Sequence, residues 1–279
     1  MTHKFIYFGT PYVASDTLRA LVSAGYVPEV VVTAPDAPRG RGMKLTPTET
    51  KEVAVELGIP VLTPEKITQD VVAELSTYGA DYALVVAYGK ILPQKLLDIF
   101  PRGVLNIHYS LLPKYRGASP VESALRAGDT MTGVAIQKMV YELDAGDLLA
   151  LETTEIEPTE TTRELRPRLV TLGANLLVAT LPSFLDGTAT LTPQDPALVT
   201  KCGKIAKEEG ELTLEGDALH NWNTYRAFAE SPGTYFYAEK NGKRLRVKIK
   251  TASFDGAHFT PVRVVPEGKQ ETNYSDFIK

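Results

Sequence analysis

The chain has little of what stabilises secreted, metal-binding or membrane proteins. It contains one cysteine, Cys202, so no intramolecular disulfide can form. Its four histidines stand apart from cysteines and acidic clusters, so their spacing predicts no metal site. The apolar runs at 30–33 and 83–87 are too short to cross a bilayer, and no apolar signal core follows the N-terminus. These absences predict a cytoplasmic protein with no membrane partner.

Charge is mildly acidic overall and uneven along the chain. A net charge of −4 argues against a protein that coats nucleic acid. From residue 204 onward the chain carries 12 basic and 11 acidic residues, so this part is the less acidic one. Half of its basic residues fall between 240 and 250. Such a run is either the solvated face of a strand or a patch that follows phosphates, and the sequence leaves both readings open.

Residues 4–110 alternate short apolar runs with amphipathic stretches, which is typical of βαβ units around a parallel sheet. Strands are predicted at 4–9, 28–34, 60–62, 82–87 and 104–108, with helices between them. Further strands are expected within 131–157. A long helix is predicted over 161–185, where Pro167 either kinks the helix or marks its true start. The predicted fold class is α/β, with a Rossmann-like doubly wound domain over residues 1–187.

Beyond this domain the chain is predicted to form a linker over 188–203 and a small module over 204–279. The linker prediction rests on its glycines, prolines and threonines. In the module we expect a helix over 217–228 and two strands, 234–240 and 245–251, joined at Asn241-Gly242. A small, reduced OB-like β-barrel is the plausible architecture.

Polar residues interrupt the predicted strand over 104–108. Its alternation places Asn106, His108 and Ser110 on one face, at the end of the strand where doubly wound sheets bind ligands. Burial of an amide and an imidazole costs a few kcal/mol, roughly, unless each is paired, so these residues indicate a structural network or a working site. The first strand ends Gly9-Thr10-Pro11 without G-x-G-x-x-G, so no dinucleotide is expected there.

The pattern Asn106-x-His108-x-Ser110-Leu111-Leu112-Pro113, then Arg116-Gly117-x-x-Pro120 and Leu143-Asp144-x-Gly146-Asp147, resembles the signature of folate-dependent formyltransferases. The resemblance implies that Asn106, His108 and Asp144 form the catalytic trio. It also implies a surface for 10-formyltetrahydrofolate, made of Ser110, Leu111, Leu112 and Pro113 with Val86, Tyr88 and Gly89 of the loop after the fourth strand.

The proposed roles agree with the chemistry of these side chains. An amine that attacks a formyl carbonyl places negative charge on its oxygen, which the Asn106 amide and the His108 imidazole can stabilise. Asp144 can orient that imidazole and help to remove the proton of the amine through water. Ser110 as the nucleophile of a hydrolase triad with His108 and Asp144 is the competing reading, although no G-x-S-x-G surrounds it.

The acceptor amine is indicated by a different part of the chain. The segment from Asp36 to Leu45, with Arg39, Arg41 and Lys44, resembles the basic loop of the family members that use methionyl-tRNA. A flexible loop of this kind suits contacts to RNA phosphates, and a solvent-exposed basic loop is the plain alternative. Lys207 lies in a segment that also resembles that group. The resemblance implies a monomer with methionyl initiator tRNA and a folate as its partners.

Three departures from the family pattern change the expectation. Tyr109 stands where a small residue or proline is usual, so we expect it to narrow the folate pocket. Residues 229–232 and the short C-terminal module differ as well, which predicts that the loop around Arg41 carries more of the tRNA selectivity. Two alternatives stay open: an amino-sugar nucleotide formyltransferase, which would not need that loop, and a non-catalytic folate or RNA binder.

Overall fold

The computed structural model describes residues 3–40, 42–240 and 242–279. The strands in chain order are β1 (Phe5–Gly9), β2 (Val30–Val32), β3 (Ala37–Arg39), β4 (Lys44–Thr46), β5 (Val61–Leu62), β6 (Tyr82–Val86), β7 (Gly103–His108), β8 (Arg116–Gly117), β9 (Met131–Lys138), β10 (Leu148–Glu155), β11 (Lys201–Cys202), β12 (Thr234–Lys240), β13 (Lys243–Phe254), β14 (Phe259–Pro266) and β15 (Thr272–Asn273). The α-helices are α1 (Tyr12–Ser23), α2 (Glu49–Glu56), α3 (Gln69–Ser76), α4 (Gln94–Leu97), α5 (Pro120–Ala127), α6 (Thr162–Asp186), α7 (Ala218–Ala227) and α8 (Tyr274–Phe277). Two short 3-10 helices cover Pro196–Leu198 and Lys207–Gly210.

The central sheet has seven strands in the order β10-β9-β7-β6-β1-β2-β5. β1 pairs in parallel with β2 and β6, β6 pairs in parallel with β7, and β9 runs antiparallel to β7. Every residue of β1, β2 and β6 is buried, which explains why these strands are continuous apolar runs rather than alternating ones. The predicted α/β doubly wound fold is confirmed.

The strand order reverses between β1 and β6. From β1 the sheet grows to β2 and β5 on one side and to β6 and β7 on the other. Open α/β sheets bind ligands outside the carboxyl ends of the strands at such a point. There the Thr10 hydroxyl donates to the Tyr88 carbonyl oxygen at 3.1 Å, which ties the ends of β1 and β6 together. This edge of the sheet is where a ligand site is expected.

The long helix α6 begins at Thr162, so the predicted helix is confirmed and Pro167 does not mark its start. Pro167 and Pro182 both lie inside the helix. By length and composition α6 is apolar enough to cross a membrane, although its uninterrupted apolar runs are short. Leu169, Leu177 and Leu181 form a buried stripe at helical spacing, as in a helix that covers a sheet.

The chain divides into two compact units that do not follow chain order. The first contains the residues up to Arg116, then Gly133–Thr153 and Pro167–Thr200. The second contains Gly117–Thr132, Thr154–Arg166 and Lys201–Lys279. The predicted domain borders at 187 and 204 stay a prediction, since compactness alone does not identify the parts that fold independently.

In the second unit, β12 to β15 form an antiparallel sheet in chain order. Lys240 pairs with Lys243, which confirms the predicted hairpin, although Asn241 itself lies outside the described residues. Trp222 of α7 and Phe236 of β12 belong to the apolar core of this unit. The expectation of a small β-rich module is confirmed, in the reduced form of a four-stranded meander.

A buried arginine explains why residues 154–166 belong with the second unit. Arg226 of α7 is 5% exposed, and its guanidinium donates to the carbonyl oxygens of Glu157 and Glu160, each at 3.3 Å. It also donates to Asn223 Oδ1 at 2.7 Å. Burial lowers the pKa of Arg226, and these acceptors compensate for the lost water.

The burial of α6 predicts a specific loss of stability. Leu177→Ala removes a fully buried side chain, so we expect the free energy of unfolding to fall by about 2–5 kcal/mol. Leu198→Ala is the matched control, because Leu198 is 57% exposed and its loss should change stability by less than about 0.5 kcal/mol. Urea unfolding followed by far-UV circular dichroism measures both. Equal midpoints for the two variants would contradict the packing of α6.

Candidate active site

The predicted trio gathers where β7 ends. Asn106 lies opposite Val85 of β6 and Gln137 of β9, and His108 is the last residue of β7. His108 is buried and Asn106 is partly exposed. The loop between β9 and β10 brings Asp144 to this edge, with 3.7 Å between His108 Nδ1 and Asp144 Oδ2. Two residues that are 36 positions apart in sequence are therefore in contact in the fold.

The imidazole of His108 is held from both sides. Its Nε2 lies 2.9 Å from the carbonyl oxygen of Tyr115. A carbonyl oxygen only accepts hydrogen bonds, so the partner assigns a hydrogen to Nε2. Nδ1 faces the Asp144 carboxylate at ion-pair distance. The ring is thus oriented by a backbone group on one side and by a carboxylate on the other.

Asp144 sits in a turn that is fixed at several points. Its carboxylate accepts a hydrogen bond from Gln137 Nε2 at 2.9 Å, and Gln137 is 1% exposed. The carbonyl oxygen of Asp147 accepts from the Lys138 N–H at 2.9 Å. A Cβ at Gly146 would overlap the Lys138 carbonyl oxygen, so only glycine allows this close approach.

Backbone strain is concentrated in the predicted site. Among the described residues, four non-glycine residues have positive φ, and three of these lie in its loops: Ala87 at 46°, Tyr115 at 60° and Asp144 at 51°. Such conformations cost about 1–3 kcal/mol each and cluster at active sites and ligand clamps. The strain supports the assignment of these loops to one functional site.

The surroundings of Ser110 disfavour a hydrolase triad. Ser110 is fully buried, and its hydroxyl donates to the Lys114 carbonyl oxygen at 2.6 Å. Both ring nitrogens of His108 face other groups, Asp144 and Tyr115. The hydroxyl therefore braces the loop that follows β7 and is not aligned for activation by the imidazole.

The residues predicted to bind the folate lie in two loops that are neighbours, because β6 and β7 pair in parallel. Most are buried, namely Val86, Tyr88, Ser110, Leu112 and Pro113, whereas Leu111 is partly exposed and Gly89 is exposed. The Tyr88 ring packs edge-on against Phe8, with centroids 5.4 Å apart, and burial raises the pKa of Tyr88 to about 12. Its side chain is thus a neutral part of the core. Contact of these loops with a folate stays a prediction.

The ring of Tyr109 packs toward α6, and its effect on the folate pocket stays a prediction. Alternation along the strand turns its ring away from the face of His108 and toward α6. A Cβ built on Gly173 of α6 would lie 3.5 Å from Cε1 of the Tyr109 ring. The missing side chain of Gly173 provides the room for the larger residue.

The segment predicted as a basic loop contains a short hairpin. Arg39 of β3 pairs with Lys44 of β4, and Lys44 is exposed. Arg41 lies outside the described residues. An ion pair of 2.7 Å between Lys51 Nζ and Asp36 Oδ1 anchors the base of the hairpin. The fourth predicted tRNA contact, Lys207, is exposed and belongs to the second compact unit.

Two glutamines that contact the Asp144 turn were not predicted. Gln137 binds the carboxylate of Asp144, and Gln194 donates to the carbonyl oxygens of Asp144 and Gly146. The signal for Gln137 was available, since a polar residue interrupts the buried β9 opposite Asn106. Gln194 lies in the predicted linker and gave no such signal. Among the described residues, no three His, Cys, Asp or Glu side chains gather as they would around a metal ion.

Comparison with known proteins agrees with this arrangement. The model of the formyl transferase family matches residues 3–181. The methionyl-tRNA formyltransferase of Bdellovibrio bacteriovorus is 40% identical over 91% of this chain and 80% of its own length. That of Methylobacterium sp. strain 4-46 is 37% identical over 100% of this chain and 96% of its own length.

Solved structures share the fold at lower identity. A sugar N-formyltransferase from Shewanella sp. has a TM-score of 0.69 at 16% identity, covering 91% of this chain and 99% of its own. An N-formyltransferase from Helicobacter canadensis, described in complex with folinic acid and dTDP-3-aminofucose, has a TM-score of 0.66 at 17% identity, with 91% and 90% covered. The chain belongs to the formyl transferase family, and its relatives over nearly the full length place it among the methionyl-tRNA formyltransferases.

Proposed function

We propose that this protein transfers the formyl group of 10-formyltetrahydrofolate to the α-amino group of methionyl initiator tRNA in the cytoplasm. The observation that carries the proposal is the gathering of Asn106, His108 and Asp144 at the carboxyl edge of β7, with His108 and Asp144 3.7 Å apart. The similarity to the methionyl-tRNA formyltransferases of Bdellovibrio bacteriovorus and Methylobacterium supports this acceptor. The folinic acid of the Helicobacter structure supports a folate as the donor.

The donor supplies the formyl group. The side chains of this protein stabilise the charge that develops and accept the proton that is released. Attack by an amine leaves negative charge on the formyl oxygen. The Asn106 side-chain amide is a hydrogen-bond donor at this edge of the sheet and stabilises that charge. His108 adds to it when the formyl oxygen replaces the Tyr115 carbonyl oxygen as the acceptor of its Nε2–H, while Asp144 keeps the ring in place at Nδ1.

Asp144 has two roles in this proposal. Its carboxylate orients the imidazole of His108 through the contact at Nδ1. It also accepts the proton that the attacking amine must lose, directly or through a water molecule. Gln137 keeps the carboxylate turned into the site by donating to Oδ1. The reaction needs no covalent intermediate with the protein, in agreement with the engaged hydroxyl of Ser110.

The hairpin of β3 and β4 favours tRNA over an amino-sugar nucleotide as the acceptor. Its Lys44 is exposed and its base is anchored by the Lys51–Asp36 ion pair, which suits contacts to RNA phosphates. A sugar acceptor has no need of such an element. The sugar N-formyltransferases among the similar structures are at most 18% identical, so they share the fold and do not inform the acceptor.

A second basic surface lies on the sheet of the second unit. Alternate residues of β13, from Arg244 to Lys250, share one face, and two arginines stack on tyrosines of β12. Arg244 lies 3.8 Å from the Tyr237 ring centroid, and Arg246 lies 3.6 Å from that of Tyr235. Stacked guanidinium groups are held in place and suit phosphate binding. We propose that this face adds affinity, while the hairpin supplies more of the selectivity.

The acceptor is tested directly by supplying the alternatives. With 10-formyltetrahydrofolate, we expect the formyl group to appear on methionyl initiator tRNA and not on an amino-sugar nucleotide. Thin-layer or mass analysis of the two acceptors measures the transfer. Transfer only to the sugar would overturn the proposed acceptor, and no transfer to either would favour a non-catalytic binder.

Single substitutions in the trio should lower turnover strongly while the protein still folds. Asn106→Ala removes one donor to the developing oxyanion, so we expect kcat to fall by about 10²–10³-fold. Asp144→Ala should have an effect of at least that size, since it removes both the orientation of His108 and the proton acceptor. Single-turnover formyl transfer measures both, with folate binding as the control for an intact site. Full activity of either variant would contradict the assignment.

Ser110→Ala separates the formyltransferase from the hydrolase reading. The variant loses one hydrogen bond, from the hydroxyl to Lys114, so we expect kcat to fall by no more than about tenfold. A triad nucleophile would lose nearly all activity. Parallel assays of formyl transfer and of ester hydrolysis measure the two reactions. Complete loss of transfer, in a variant that still unfolds like the wild type, would revive the triad.

Removal of a positive charge from the hairpin should weaken binding of the tRNA without changing binding of the folate. Lys44→Gln is expected to raise KM for the tRNA and to lower the salt dependence of log kcat/KM by about one unit of slope. KM for the folate should stay unchanged. Lys4→Gln is the matched control, because Lys4 is exposed just before β1, at the opposite edge of the sheet. If both variants behave alike, the hairpin does not contact the tRNA.

A further inference from the structure

The segment 192–200, predicted as part of a linker, runs against the loops that carry the candidate site. Thr192 pairs with Leu148 at the start of β10, with N–O distances of 2.9 and 2.8 Å. This pairing fixes the path of the segment beside the turn that contains Asp144. Gln194 follows two residues later and points its side chain at that turn.

The side chain of Gln194 is bonded at both ends of its amide. Its nitrogen donates to the carbonyl oxygens of Asp144 at 2.9 Å and Gly146 at 2.7 Å. Its oxygen accepts from Arg116 Nε at 3.0 Å. A guanidinium only donates and a carbonyl only accepts, so the partners fix which end of the amide faces which group. Gln194 therefore grips the backbone on both sides of Ala145.

Thr200 holds the other loop of the site in the same way. Its hydroxyl oxygen accepts from the Tyr115 N–H at 2.8 Å, and its N–H donates to the Pro113 carbonyl oxygen at 3.2 Å. The carbonyl oxygen of Tyr115 in turn binds His108 Nε2. Tyr115 has positive φ, so its carbonyl points at the imidazole only while this conformation is held.

We propose that the segment 192–200 is a positioning element of the active site, in which Gln194 sets Asp144 and Thr200 sets His108 through Tyr115. This inference rests on the proposed function. His108 ends β7 and Asp144 lies in the loop after β9. This one segment bonds to Tyr115, which contacts His108, and to the backbone of Asp144. Small displacements of a catalytic group reduce rates strongly, so the segment should act on kcat.

Gln194→Glu is the sharpest test. The carboxylate keeps an acceptor for Arg116 but replaces the donor nitrogen with an oxygen that faces two carbonyl oxygens. We expect kcat to fall by about ten- to hundredfold, with KM for the folate and for the tRNA within about twofold of wild type. Thr200→Val keeps the shape and removes the acceptor for Tyr115, and it should lower kcat by about three- to tenfold.

Gln69→Glu is the matched control, because it makes the same chemical change outside the proposed element. Gln69 is exposed and is the first residue of α3. We expect it to keep the wild-type kcat. Thermal unfolding of all three variants separates a positioning effect from general loosening of the fold.

The outcomes are distinguishable. If the wild type transfers no formyl group, the proposed function fails and this inference fails with it. If the wild type is active and Gln194→Glu keeps its kcat, only the inference is wrong. A Gln194→Glu variant with a lower melting temperature and a raised KM for both substrates would also overturn it, since that result describes loss of structure rather than of position.

Discussion

The 3.7 Å contact between His108 Nδ1 and Asp144 Oδ2 is the interaction on which the site depends. The two residues come from different elements, a strand end and the loop after β9. Each depends on a residue whose backbone has positive φ: Tyr115, which contacts His108, and Asp144 itself. Residues other than glycine rarely adopt this conformation, so the contact persists only because other groups hold both turns.

Those other groups act mostly through hydrogen bonds to backbone atoms. Gln194 and Thr200 bind the turns from the segment 192–200, and Gln137 binds the Asp144 carboxylate from β9. Each bond contributes about 0.5–1.5 kcal/mol net, which together is comparable with the roughly 1–3 kcal/mol that each strained residue costs. A rigid sheet edge with braced loops suits electrostatic stabilisation, because donors must be in place before charge develops.

The elements proposed to bind the acceptor are different from the residues proposed for the chemistry. The hairpin of β3 and β4 belongs to the first unit, and the arginine–tyrosine face of β12 and β13 belongs to the second. Both carry basic residues on a chain whose net charge is −4. Local clusters of positive charge on an acidic protein favour phosphate contacts at defined places over general adhesion to nucleic acid.

The sequence by itself determined the α/β class and the strands of the parallel sheet, and it singled out the candidate trio. Buried parallel strands must be continuous apolar runs, so β1 and β6 were readable, and polar residues within β7 stood out against that background. The long helix and the Asn-Gly hairpin were equally local patterns. Such features can be predicted because the residues that determine them are neighbours in the sequence.

Only the tertiary structure decided how the trio is held and where Tyr109 points. The ring of Tyr109 fits because Gly173, on a helix 64 residues later, leaves space for it. Gln194 matters because its segment pairs with β10 and meets Arg116, and neither partner is near it in sequence. The sequence predicts a linker here because the prolines and threonines of this segment are typical of an extended backbone. Hydrogen bonds between distant residues leave no periodic pattern in the sequence, so the contacts of the segment 192–200 with the site could be seen only in the tertiary structure.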